Sequence, residues 1–121
     1  MTEAECRTVA VVDDDQAVRD SLLFLLEVIG YTVEIFASAA EFLRANVRHF
    51  ACLILDHHMP NMTGLELAGR LRADGAVIPI LLITGSPSPT MTARAAELGI
   101  KLIDKHPSEE ALIDFINGTR R

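Results

Sequence analysis

The chain has 121 residues, half of them hydrophobic and 23% charged, with 17 acidic against 11 basic side chains and a formal charge of −6. That length suits one compact domain with one core, and the apolar content argues against disorder along the chain. The acidic balance disfavours direct binding to nucleic acid phosphates, which depends on lysine and arginine. The longest apolar stretches, Ser21–Leu26 and Ile78–Ile83, fall well short of the roughly 20 residues that cross a bilayer, so no membrane span is expected. Glu3 and Glu5 stand where a secretory signal would carry basic residues, and Cys6 and Cys52 do not make a disulfide framework. A reducing cytoplasm is the expected location.

Thr8–Val12 is a short valine-rich run that ends abruptly at Asp13, Asp14 and Asp15, the pattern of a buried strand opening into a polar loop. Val18, Leu22, Leu25, Leu26 and Ile29 then recur at helical spacing, with Asp15 able to cap the start and Gly30 to stop the helix. Thr32–Phe36 is a second strand, followed by Ser38 and Glu41 as a capping-box pair ahead of Phe42 and Leu43. Ala51–Leu55 reads as a third strand ending at Asp56, before the loop His57-His58-Met59-Pro60-Asn61-Met62-Thr63-Gly64. Leu65, Ala68 and Leu71 give the next helix its apolar face. Pro79–Ile83 is a fourth strand ending at Thr84-Gly85, and Pro87 and Pro89 constrain the start of a helix marked by Met91, Ala95 and Leu98 and closed by Gly99. Ile100–Ile103 is a fifth strand ending near Lys105, and Leu112, Phe115 and Ile116 form the stripe of a final helix that Ser108 can cap.

Five strand-helix pairs with nearly uninterrupted apolar strands imply a doubly wound parallel sheet covered by helices on both faces. No linker or repeat interrupts the alternation, so residues 1–121 read as one domain with its core over about residues 8–118. In open α/β sheets functional groups gather outside the carboxyl ends of the strands. Asp13, Asp14, Asp56, Thr84 and Lys105 all fall at such ends. Carboxylates brought close together repel unless a cation offsets them, and hard oxygen donors are what Mg2+ selects. With the metal and an ammonium neutralising oxygen charge, a carboxylate can attack a phosphoryl donor. Asp15 alone is read as a helix cap. His57 and His58 lack further ligands at metal spacing and are read as solvated loop residues with diverging rings, and Met59 and Met62 as packing.

The segments Val-Val-Asp-Asp-Asp at 11–15, Leu-Ile-Leu-Asp-His-His-Met-Pro-Asn-Met-Thr-Gly at 53–64, Ile-Thr-Gly at 83–85 and Lys-His-Pro at 105–107 resemble the receiver domains of two-component response regulators, over Val9 to Gly118. The resemblance implies a flavodoxin-like sheet of order 2-1-3-4-5. It implies that Asp56 accepts phosphate from a phosphohistidine, that Asp14 and Asp56 bind Mg2+ directly, that Asp13 acts largely through water, and that the His58 backbone carbonyl completes the ligands. It further implies that Thr84 moves toward the phosphoryl oxygens, that Lys105 pairs with them, and that the surface around the fourth helix, fifth strand and fifth helix rearranges. The implied partners are a sensor histidine kinase or phosphotransfer protein and a downstream effector protein, with a homodimer left open. The domain is expected to be a phosphoacceptor, not an enzyme acting on a separate substrate.

The fifth strand departs from the family pattern. The family's lysine is directly followed by proline, whereas here His106 intervenes, and an ungapped count from Gly99 puts His106 in the lysine position. Lys105 is the favoured match. The aromatic residue common before that lysine is replaced by Leu102 or Ile103, so the output switch is expected to differ. Two other readings compete. One is a pseudo-receiver that only binds a protein partner. The other is a Mg2+-dependent aspartyl phosphatase or phosphotransferase resembling the haloacid-dehalogenase group, with Asp13 as nucleophile and Asp15 as acid, which leaves the Asp56 loop without a purpose.

Overall fold

In the computed structural model, which describes residues 8–119, the valine-rich run Thr8–Val12 is strand β1 and all five of its residues are buried. Helix α1 (Gln16–Ile29) follows, then β2 (Thr32–Phe36), the short α2 (Ala39–Leu43), a single 3-10 turn at Val47–His49, and β3 (Phe50–Asp56). The second half continues as α3 (Gly64–Ala73), β4 (Ile80–Thr84), α4 (Pro89–Leu98), β5 (Lys101–Asp104) and α5 (Glu109–Gly118). Every strand pairing is parallel, and the order is β2-β1-β3-β4-β5. The flavodoxin-like order expected from the sequence is the one observed. Cys6 and the first residues lie outside the described residues. No described helix is long and apolar enough to cross a membrane.

Alternation along the strands divides the core in two, because successive side chains of a strand point to opposite faces. Ala10 and Val12 of β1, Leu53 and Leu55 of β3 and Leu82 of β4 pack under α2, α3 and α4. Val9, Val11, Ile54, Leu81 and Ile83 face Leu26 of α1 and Leu112, Phe115 and Ile116 of α5. Cys52 lies in this second layer, and burial pushes its thiol up to about 12, so it packs as a small apolar group. The edge strands β2 and β5 instead expose Glu34, Lys101 and Asp104, charges that discourage edge-to-edge pairing.

Several boundaries follow from local hydrogen bonding. Asp15 caps α1 by accepting the Ala17 and Val18 N–H groups, as expected. At α2 the expected capping box is displaced by one residue: Ser38 accepts the Glu41 N–H, but Glu41 reaches back to the Ala37 N–H. The complete capping box is at Thr63 and Glu66. The fifth strand starts at Lys101 and not at Ile100, because the Ile100 N–H closes α4 on the Ala95 carbonyl at 3.0 Å and is lost to the ladder. Pro89 occupies the first turn of α4 behind the Ser88 cap, where its missing N–H costs nothing.

A cluster of three aromatic rings anchors α2 to the sheet. Phe42 meets Phe36 edge-on at 5.2 Å and lies 5.7 Å from Phe50, and it is almost wholly buried. Phe42→Ala should cost about 3–5 kcal/mol by leaving a cavity and two unsupported rings. Equilibrium urea unfolding measures this, and a loss well under 1 kcal/mol would show that α2 contributes little to the fold.

Candidate functional site

The carboxyl ends of β1, β3 and β4 lie side by side, so the sheet itself delivers the polar groups to one edge. The Asp13 N–H donates to the Phe36 carbonyl at 3.1 Å and the His57 N–H to the Ile83 carbonyl at 2.9 Å, fixing the backbone on either side of the central strands. Asp13, Asp14 and Asp56 each place one carboxylate oxygen within 4.8 Å of the others. Asp13 and Asp56 are buried, while Asp14 is exposed. Asp13 is held from two sides: its side chain accepts the Asp15 N–H at 2.9 Å and its carbonyl accepts Arg19 Nη1 at 2.8 Å.

These groups by themselves form an unfavourable electrostatic cluster. Burial pushes the Asp13 carboxyl up to about 6, opposed by the Asp15 N–H and reinforced by the charges of Asp56 and Asp14. Burial also raises the Asp56 carboxyl, and the Lys105 ammonium, 3.5 Å from Asp56 Oδ1, pulls it back. Asp56 Oδ1 is buried and has no hydrogen-bond partner. An orphaned carboxylate oxygen beside two further acids fits a small, hard divalent cation, which coordinates oxygen and offsets their repulsion.

The loop after β3 is rigid for identifiable reasons. The His57 carbonyl accepts the N–H groups of both Met59 and Gly64 at 3.0 Å, and Met59 is buried in the first core layer. Asn61 adopts φ 71°, a left-handed conformation that asparagine tolerates. Gly64 has no room for a side chain, because a Cβ there would sit 2.5 Å from the Asp56 carbonyl oxygen and 2.9 Å from His57 Cα. The close approach of α3 to the end of β3 therefore requires glycine.

His58 is exposed, as a solvated loop residue would be, and His57 is half-buried, but the two side chains do not diverge. Their rings meet edge-on at 5.1 Å, His57 Nδ1 accepts the Leu65 N–H at 3.3 Å, and His58 Nε2 lies 3.1 Å from Thr84 Oγ1. The tight turn, which an extended-loop reading overlooks, folds both rings back over the strand ends. Met59 and Met62 do pack against the core. Lys105 is brought to Asp56 because its own N–H donates to the Thr84 carbonyl at 2.8 Å, continuing the β4-β5 ladder past the last strand residue. His106 is exposed at the rim of a cleft of about 410 Å³ that runs from Asp13 and Asp56 to Leu22, Leu25 and Pro107. Leu102 packs into the first core layer and Ile103 into the second. Sequence reasoning gave no role to the His58 ring or to Arg19. The Thr63-x-x-Glu66 capping spacing beside Gly64 was the available signal for the close turn.

Parallel order 2-1-3-4-5 with helices on both faces and an acidic pocket at the carboxyl edge makes this a flavodoxin-like doubly wound domain. The family model described as the response regulator receiver domain matches residues 9–117, and the chain belongs to that family. It is 40% identical over 110 residues to the transcriptional regulatory protein FixJ of Azorhizobium caulinodans, covering 90% of this chain and 52% of that protein. It is 39% identical over 108 residues to the response regulator protein TodT of Pseudomonas putida, covering 88% of this chain and 48% of TodT. The solved structure of FixJ-N superposes with a TM-score of 0.82 at 34% identity, over 93% of this chain and 92% of that one. The chain spans about half the length of the curated relatives it matches. Receiver domains of this family are signalling domains of two-component systems.

The Asp13 shift sets a pH dependence. A carboxyl of native pKa about 6 holds its proton more tightly when folded than at its ordinary value of 3.8. The associated stability is complete below 3.8 and is lost as the pH rises through about 6. In melts without divalent ions, Asp13→Asn should therefore gain on wild type between about pH 4 and pH 6, and a constant difference across that window would contradict the assignment.

Proposed function

We propose that this domain accepts a phosphoryl group on Asp56 from a phosphohistidine of a sensor kinase or phosphotransfer protein, with Mg2+, and signals to an effector protein by a change of surface. The observation that carries this reading is the buried Asp56 Oδ1, unpartnered by hydrogen bonds but 3.5 Å from the Lys105 ammonium and grouped with Asp13 and Asp14. Asp14 and Asp56 would hold the metal, with Asp13 acting largely through water and the His58 carbonyl as a further donor. Bound there, Mg2+ would supply charge neutralisation for the phosphoryl oxygens.

The chain's own residues do the rest. A carboxylate oxygen of Asp56 attacks phosphorus, forming a C–O–P acyl phosphate as the bond from phosphorus to the donor nitrogen breaks, and the imidazole leaves with that electron pair. Lys105 offsets the added oxygen charge from the other side. The Thr84 hydroxyl, at the end of the neighbouring strand, donates to a phosphoryl oxygen once it turns inward. Thr84 and Lys105 are joined through the backbone, so their movement is transmitted to β5, where Leu102 and Ile103 stand in place of an aromatic switch.

Two observations weigh against the competing readings. Asp15 is occupied as the cap of α1, with its carboxylate accepting Ala17 and Val18 N–H groups, which removes the acid that an aspartyl phosphatase built on Asp13 would use. The Lys105–Asp56 contact favours a competent site over a pseudo-receiver.

Incubation with acetyl phosphate and Mg2+ should add one phosphoryl group, read by intact mass. The adduct should vanish in Asp56→Asn and on chelation of the metal. An adduct that persists in Asp56→Asn would move the acceptor elsewhere, and none in wild type would support the pseudo-receiver. In the same assay Lys105→Ala should slow uptake at least about tenfold, as expected for removing a cation from a buried charged site, while His106→Ala should change it less than about twofold. The reverse ranking would assign the cationic role to His106.

A further inference from the structure

Thr84 is completely buried, and its hydroxyl already has two partners. The Ser86 N–H donates to Oγ1 at 3.2 Å, and His58 Nε2 stands 3.1 Å away. A hydroxyl carries one proton to donate, and Ser86 occupies one of its acceptor positions. An imidazole with its own proton on Nδ1 presents Nε2 as an acceptor, and at this distance it takes the single Thr84 proton.

The placement of His58 is built into the fold. The His57 N–H is tied to Ile83 of β4, Met59 is buried, and Gly64 closes the turn on the His57 carbonyl. Between these anchors the backbone has little freedom, so the ring is delivered to a residue 26 positions away in sequence. His57 sits edge-on against it at 5.1 Å and limits its swing.

We propose that the His58 side chain is a latch on Thr84: in the resting protein it accepts the only proton of the Thr84 hydroxyl and so withholds that donor from Asp56. This rests on the phosphoryl-accepting reading of Asp56. A phosphoryl group arriving on Asp56 competes with His58 for one hydrogen bond, and the Thr84 hydroxyl turns inward only as the imidazole lets go. The latch sets the balance between resting and switched forms, separately from any role of the His58 backbone carbonyl, which side-chain replacement leaves in place.

The test is the affinity for beryllofluoride, a phosphoryl analogue, in the presence of Mg2+, followed by 19F NMR on the intact chain. Removing one neutral hydrogen bond from the resting form corresponds to about three- to tenfold in an equilibrium constant. His58→Ala should therefore bind the analogue about three- to tenfold more tightly than wild type, and His58→Gln, whose side-chain carbonyl can accept the same proton, should return toward the wild-type value. In a Thr84→Val background the His58→Ala change should have no effect. Unchanged or weaker binding by His58→Ala, or an equal gain in the Thr84→Val background, overturns the latch alone. No binding by wild type overturns the reading of Asp56 and the latch with it. Imidazole nitrogen NMR of the free wild-type protein gives a second measure: an unprotonated Nε2 on His58 supports the latch, and a proton on Nε2 overturns it.

Discussion

The carboxylate of Asp56 is buried at the carboxyl end of a strand that is itself covered on both faces, and this burial of a potential charge organises the rest of the molecule. Removing a carboxylate from water raises the cost of its ionised form, and Asp13 and Asp14 add repulsion. The ammonium of Lys105, 3.5 Å away, is the main charge that answers it. The site is thus left with an excess of negative oxygen that a divalent cation would offset. A better-solvated aspartate in a surface loop would carry none of this tension.

Holding the tension requires a stiff frame. The two core layers clamp β1, β3 and β4 between helices, so the strand ends cannot spread to relieve the repulsion. Arg19 reaches over from α1 to the Asp13 carbonyl, and the Asp15 N–H holds the Asp13 side chain. On the other side, Gly64 lets α3 begin in contact with the Asp56 carbonyl, and Met59 pins the intervening loop into the core. The polar side chains gathered beside Asp56 within this frame are few: the Thr84 hydroxyl, the His58 ring and the Lys105 ammonium.

Much of the framework is legible in the chain. Strands β1 and β2 span the residues that the apolar runs mark, and helix α1 starts behind Asp15 and ends at Gly30, which takes φ 119°. The acids at 13, 14 and 56 stand out because each follows an apolar run, and a parallel sheet must bring such ends to one edge. Strand ends at β4 and β5 shift by one residue, since the pattern of apolar side chains does not say where a backbone N–H finds its partner. The Ile100 N–H goes to the end of α4, and no hydropathy rule records that choice.

By itself the sequence determined the element order, the doubly wound class, the acidic cluster and the Asp56 loop, because periodicity and strand termini are properties of neighbouring residues. The tertiary structure alone decided which of two adjacent basic residues faces Asp56, through the hydrogen bond of the Lys105 N–H to the Thr84 carbonyl. It alone turned the histidine pair from loop residues into one that packs under α3 and another that meets Thr84. The contacts of Lys105 and of His58 with Thr84 join segments more than 20 residues apart, where a shift of one position reverses which side chain points at the site.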